Sequence, residues 1–193
     1  MVVMRSDATN QLKEITRPTF PWRKRGLVSY GLPFLELVVT HVQRLGKQRV
    51  FALVSGSLEE NTNCLWRLEQ VLGPKLVGSR VGFPGHTLWD QVLALAKQID
   101  ESGADLVVTL GGGSITDGVK LATFPLANNI YDLQSLDVMS AKLKAAMQHD
   151  IDYKYSKDPP GVNAPTFTMI NVPTTLSAGE FSPYAGGIRR YSG

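Results

Sequence analysis

The feature that most constrains this chain is an apolar strand that runs straight into three glycines. Leu106, Val107 and Val108 lead through Thr109 and Leu110 into Gly111, Gly112 and Gly113. A strand without polar alternation is buried on both faces, as in a parallel sheet covered by helices on each side. A second run, Val50, Phe51, Ala52, Leu53 and Val54 before Ser55, has the same character. Two such strands commit the chain to a layered fold with helices above and below.

The rest of the pattern fits that frame. Further strands are predicted over 26–30, 76–81 and 167–172, and the glycine-tipped one over 105–110. Helical periodicity appears over 33–45, with Leu35, Val38, Val39 and Val42 on one face, and over 59–72 up to Gly73 and Pro74. A helix is predicted from an N-cap at Thr87 to Ser102, with Gly103 ending it. Two more are expected, from about 114 toward 124 before a break at 125–129, and over 136–149. Residues 1–25, with Pro18 and Pro21, read as an irregular lead-in, and 150–165 as a charged loop. Strands alternating with helices define an α/β fold, Rossmann-like, with a mostly parallel sheet and helices on both faces. The domain is expected over 26–186.

Composition narrows the function classes. The chain has 193 residues, 43% of them hydrophobic, enough for one core. Its net charge of +3 includes two short clusters, Arg23 to Arg25 and Arg189 with Arg190. A nucleic-acid surface needs a longer basic stripe or a known module, so no nucleic-acid partner is expected. The single cysteine, Cys64, excludes an internal disulfide and reads as a small side chain in a helix. No apolar leader and no membrane-length apolar window is present, so no membrane partner is expected. A cytoplasmic location is expected. A mitochondrial address stays open through Arg5, Lys13 and Arg17, with Asp7 and Glu14 arguing against it. His41, His86 and His149 are scattered and read as surface or cap residues rather than metal ligands.

Two loops carry chemistry. In the first, glycines let the backbone turn sharply and approach an anion. The helix start that follows offers unpaired N–H groups and a positive dipole end. Ser114 adds a hydroxyl, and a phosphate or pyrophosphate is the natural ligand. The loop misses two common motifs by one position each. Thr116 stands where a Rossmann fingerprint has its third glycine, and Val119 where a P-loop has its lysine, with Lys120 one place late. In the second loop, Thr174, Thr175 and Ser177 follow a short strand and Pro173. Such hydroxyls bond phosphate, ribose or carboxamide groups. The alternative for each loop is an ordinary tight turn.

Together the loops resemble the iron-type (group III) alcohol dehydrogenases. The carriers are Gly111 to Ser114 with Asp117 and Lys120, then Pro173, Thr174, Thr175, Leu176, Ser177, Ala178, Gly179, Glu180 and Phe181. The second stretch is similar to maleylacetate reductase-like and fungal members. The turn at Ser55, Gly56 and Ser57 also fits. The resemblance implies a dinucleotide-binding α/β domain followed by an all-helical domain, and hydride transfer between an alcohol or carbonyl substrate and NAD or NADP. It implies that Gly112, Gly113 and Ser114 hold the pyrophosphate and that Asp117 lies near the nicotinamide end. By the same resemblance Thr174, Thr175 and Ser177 line the groove, and Ser55, Gly56 and Ser57 meet the adenosine ribose. Many relatives place an Asp there, whereas the next carboxylate here is Glu59, so the choice between NAD and NADP stays open. The family's divalent metal, iron or zinc, is bound by Asp and His residues of the helical half. Those ligands, and that half, are expected to be absent here. Residues 187–193 read as an atypical tail, as if the chain were cut short, and apolar surface facing the helical half is expected to be exposed. A homo-oligomer is a possible partner state. The other readings are a non-catalytic nucleotide-binding remnant and a dehydroquinate synthase-like or glycerol-phosphate dehydrogenase relative. The second-loop wording fits those relatives less well.

Overall fold

The computed structural model describes residues 12–22, 26–149, 161–182 and 184–189. Its centre is the pair of apolar strands. β3 (Val50–Val54) and β5 (Leu106–Gly111) are buried along their whole lengths and pair in parallel, Val50 opposite Leu106 and Val54 opposite Leu110. β4 (Leu76–Val81) adds outside β3, and β6 (Thr168–Pro173) outside β5, both in parallel. The sheet order is therefore β4, β3, β5, β6.

Side chains alternate across each strand. Val50, Ala52, Val54, Leu106, Val108 and Leu110 face α1 (Phe34–Arg44) and α3 (Cys64–Leu72), where they pack with Val38, Val42, Leu68 and Leu72. Phe51, Leu53 and Val107 face the other way. They meet Val92, Leu95, Ala96 and Ile99 of α4 (Trp89–Ser102), and Ile115, Val119 and Ala122 of α5 (Gly113–Asn128). Thr109 is the polar exception in β5. Its buried hydroxyl donates to Asn171 Oδ1 at 2.9 Å, directly across the β5–β6 register.

Several sequence expectations need correction. The lead-in over 1–25 is not wholly irregular, because Ile15–Pro18 forms β1, antiparallel to β2 (Leu27–Tyr30). The prolines hide this strand from a pattern reading, but Pro18 lies on an edge strand of a two-stranded sheet, where a missing N–H is tolerated. The β1–β2 hairpin makes its own sheet. A cleft of about 730 Å³, bordered by Val28, His41 and Ile170 among others, separates β2 from β6.

The helix expected over 59–72 is two helices, α2 (Gly56–Asn61) and α3. Thr62 is extended between them, and its hydroxyl donates to Leu58 O and accepts from the Cys64 amide. Such local side-chain bonds compete with the helical ladder. Thr87 is not the N-cap of α4. It has a φ of 42°, its hydroxyl donates to Gly186 O, and Leu88 takes the cap position. The break expected at 125–129 falls later, since α5 carries Pro125 inside it and ends at Asn129 in the left-handed conformation. Pro125 removes one N–H from the ladder, and its own burial offsets that loss. α6 (Leu133–His149) starts earlier than expected, because the Asp132 carboxylate accepts the Ser135 amide at 2.8 Å. The loop expected over 150–165 lies outside the described residues up to 160.

His41 is not a plain surface histidine. It packs partly buried in a polar cluster that ties the hairpin to α1, with Nε2 2.8 Å from Ser29 Oγ and 3.2 Å from Glu14 Oε1. Arg44 donates to both Glu14 oxygens, at 2.7 and 2.6 Å. That guanidinium lowers the Glu14 carboxyl from the ordinary 4.5 to about 2. A depressed folded value means the anchor is complete above about 4.5 and is lost as pH falls through about 2. An NMR titration of the Glu14 carboxyl is expected to show a midpoint near 2, followed by faster amide exchange in β1 below it. A midpoint near 4.5 would show that the anchor does not form in solution.

Candidate functional site

The chain leaves β3 for β4 on one side and returns through α4 to β5 on the other. The strand order thus reverses between β3 and β5, and such a crevice beyond the carboxyl ends is where α/β sheets bind ligands. Three turns meet there: 55–57 after β3, 111–114 after β5, and 174–184 after β6.

At the middle turn, the Ile115 and Thr116 amides fold back onto Gly112 O at 3.1 and 3.3 Å. The amides of Gly113 and Ser114 precede these bonds and belong to the unpaired start of α5. The neighbouring turns leave no room for side chains here. A Cβ on Gly112 would lie 3.0 Å from Thr175 Oγ1, and one on Gly113 would lie 2.9 Å from Ser177 Oγ. A Cβ on Gly111 would meet Ile115 at 2.6 Å and Ser55 at 3.2 Å. The glycines are required by close approach, since neither Gly112 nor Gly113 has a positive φ.

The third turn is fastened at both ends. The Thr174 amide donates to Gly111 O at 3.1 Å, extending the β5–β6 pairing by one bond. Thr175 Oγ1 and Ser177 Oγ lie 3.2 Å apart above the helix start, and Leu176 between them is fully exposed. Further on, Ala178 adopts the left-handed conformation, and a 3-10 turn follows over Gly179–Phe181. A Cβ on Gly179 would lie 3.4 Å from Asp117 Oδ1 and 3.5 Å from Gly113 Cα.

Of the ten predicted site residues, the contacts join Gly112 to Thr175 and Gly113 to Ser177, Ser55 and Thr174 both reach Gly111, Ser57 meets Ser55, and Ser114 follows Gly113 in α5. Ser55 Oγ and Ser57 Oγ are 3.1 Å apart, and the Ser55 amide donates to Leu110 O at 2.8 Å. Gly56 sits beside Gly82 and opens α2. Asp117 lies a turn into α5, beneath the third turn rather than on its open side. Sequence reasoning missed Lys120, whose ammonium reaches the carbonyls of Gly179, Ser182 and Tyr184. It also missed Phe83, whose ring fills the space beside Gly118. The Asp117–Lys120 spacing was a usable signal, since residues three apart share a helix face. Glu59 is turned away from the site. Its carboxylate accepts the Leu65 amide at 3.0 Å and the Cys64 thiol at 3.2 Å, which caps α3.

A doubly covered parallel sheet with a glycine-lined helix start at its switch point defines the class of nucleotide-binding α/β domains. Comparison with known proteins makes the assignment narrower. The family model for iron-containing alcohol dehydrogenases matches residues 29–189, and the chain belongs to that family. It is an oxidoreductase family with dehydrogenase relatives. The chain is 37% identical over 166 residues to the dehydrogenase FUM7 of Gibberella moniliformis, covering 86% of this chain and 37% of that protein. It is 37% identical over 143 residues to the dehydrogenase ALT3 of Alternaria alternata, covering 74% of this chain and 33% of that one. The fold is shared with a sulfoacetaldehyde reductase from Bifidobacterium kashiwanohense solved in complex with NAD+. There the TM-score is 0.54 and the identity 19%, covering 78% of this chain and 34% of that one. The chain thus spans about a third of the length of the curated relatives it matches.

Among the described residues, no group of three His, Cys, Asp or Glu side chains could hold a metal ion. Also among them, no helix is long and apolar enough to cross a membrane.

The close contacts at Gly113 give a direct test. Gly113→Ala suits the helical backbone and gains about 1 kcal/mol in helix propensity, but its methyl must displace Ser177. Thermal stability is expected to stay within a few degrees while a phosphate-bearing ligand of this site binds at least several-fold more weakly. Unchanged affinity, measured by titration calorimetry, would place the ligand elsewhere.

Proposed function

We propose that this chain forms the nucleotide-holding half of an NAD(P)-dependent oxidoreductase acting on an alcohol or carbonyl substrate. One observation carries the reading: the Thr175 and Ser177 hydroxyls stand over the unpaired α5 start at Gly112 and Gly113. That arrangement suits a pyrophosphate, with N–H donors and a helix dipole below and hydroxyl donors beside it. The cradle is dry of carboxylates, because Asp117 is paired with Lys120 and Glu59 caps α3. Gly112, Gly113 and Ser114 hold the pyrophosphate, and Thr174, Thr175 and Ser177 line the groove leading away from it. Ser55, Gly56 and Ser57 meet the adenosine ribose, and Asp117 supports the nicotinamide end. When bound, the dinucleotide accepts or donates the hydride. The NAD+ in the sulfoacetaldehyde reductase neighbour supports the same ligand class.

The Glu59 contacts bear on the choice of cofactor. A carboxylate that accepts from a ribose 2′-hydroxyl favours NAD and repels a 2′-phosphate. Here the nearest carboxylate in the sequence is engaged at α3, and the turn itself presents two hydroxyls. The site therefore admits NADP.

A second reading is a nucleotide-binding module without turnover of its own, which the same cradle would serve. The two readings share the cradle and differ only in catalysis.

Titration of the chain with NADH and NADPH, followed by nicotinamide fluorescence, tests both. Both nucleotides are expected to bind, NADPH no more weakly than NADH, with inorganic pyrophosphate competing. Glu59→Gln is expected to lower thermal stability and leave the ratio of the two affinities unchanged. Failure of either nucleotide to bind would remove the proposal. Alcohol oxidation by the 193-residue chain with added iron or zinc would remove the second reading.

A further inference from the structure

Lys120 belongs to α5, but its side chain reaches across to main-chain carbonyls outside that helix. Its side chain is only 15% accessible. The ammonium donates to Gly179 O at 2.9 Å, Ser182 O at 3.3 Å and Tyr184 O at 2.9 Å. A lysine has three N–H donors and no acceptor, and the three carbonyls share them with Asp117. Asp117 Oδ1 lies 2.6 Å from the same nitrogen and forms an ion pair with it.

The three carbonyls follow directly on the residues that overhang the glycine turn. Thr175 and Ser177 are held upstream by the Thr174 amide bond to Gly111 O. Downstream, Lys120 fastens the turn through the carbonyls of Gly179, Ser182 and Tyr184. We infer that Lys120 is a positioning residue: by gathering the carbonyls of 179, 182 and 184 it holds the Thr175 and Ser177 hydroxyls over the α5 start. Nucleotide affinity then depends on a side chain that lies under the turn and does not reach the ligand. Asp117 serves by pairing with that ammonium from the preceding turn of α5. The inference rests on the nucleotide reading above for its effect on affinity, but the anchoring itself stands on the contacts alone.

The test uses the full chain with Lys120→Met and, as a milder change, Lys120→Gln, which keeps two donors without the charge. Two quantities are read: amide hydrogen exchange in 174–184, and NADPH affinity well below the melting temperature. Val42→Ala, in the core under α1, serves as a control that lowers stability away from the site. Loss of a charged hydrogen-bond centre corresponds to about tenfold in affinity. Lys120→Met is expected to speed exchange in 174–184 and weaken NADPH about tenfold, Lys120→Gln to fall between, and Val42→Ala to change neither. Unaltered exchange in 174–184 would overturn the anchoring. Faster exchange with full affinity would overturn the positioning role. If the unmodified chain binds no nucleotide, the functional proposal fails by itself, and the exchange data alone decide whether Lys120 anchors the turn. Should Lys120→Met not fold, Lys120→Gln decides by the same two readings.

Discussion

The double burial of β3 and β5 governs the rest of this molecule. Each strand presents apolar side chains to both faces, so each face needs its own helical cover. α1 and α3 supply one cover, α4 and α5 the other. A helix on alternate faces forces the chain to reverse direction across the sheet between β3 and β5. The crevice is thus a by-product of core formation, and its place is set before any polar residue is considered. The one polar side chain of β3 and β5, Thr109, is tolerated because Asn171 stands opposite it in β6.

The crevice becomes specific through what glycine omits. At Gly112 and Gly113 there is no backbone strain to relieve, and any residue could adopt the angles. What a larger residue could not do is let Thr175 and Ser177 come so near. Two turns far apart in the chain therefore share one surface, with backbone N–H groups on one side and hydroxyls on the other. The pairing of Thr174 with Gly111 at the strand ends and the carbonyl cluster around Lys120 hold that surface from two directions.

Much of this was legible in the amino-acid order. The apolar runs at Val50 and Leu106 announce the sheet, and the glycines and hydroxyls announce the turns. The elements misread share a physical cause: local bonds that periodicity does not encode. Thr62 and Glu59 divide one helical stretch into two. Thr87 forsakes a cap for the Gly186 carbonyl, a contact 99 positions away along the chain. Pro18 and Pro125 look like breaks, yet one ends a strand and the other is absorbed into a buried helix. Lys120 was visible as a motif letter, but its partners are main-chain carbonyls of residues 179–184, which no side-chain pattern records.

Cys64 gives the molecule an internal clock. It is the chain's one thiol, it is buried at the head of α3, and burial pushes its ionisation upward. The thiolate is the reactive form, so a thiol reagent finds almost nothing to attack while α3 is seated. Labelling must wait for that helix to lift from the sheet, exposing Cys64 and freeing the Glu59 carboxylate together. The rate of modification consequently counts excursions of one face of the fold, leaving the opposite face, under α4 and α5, unobserved.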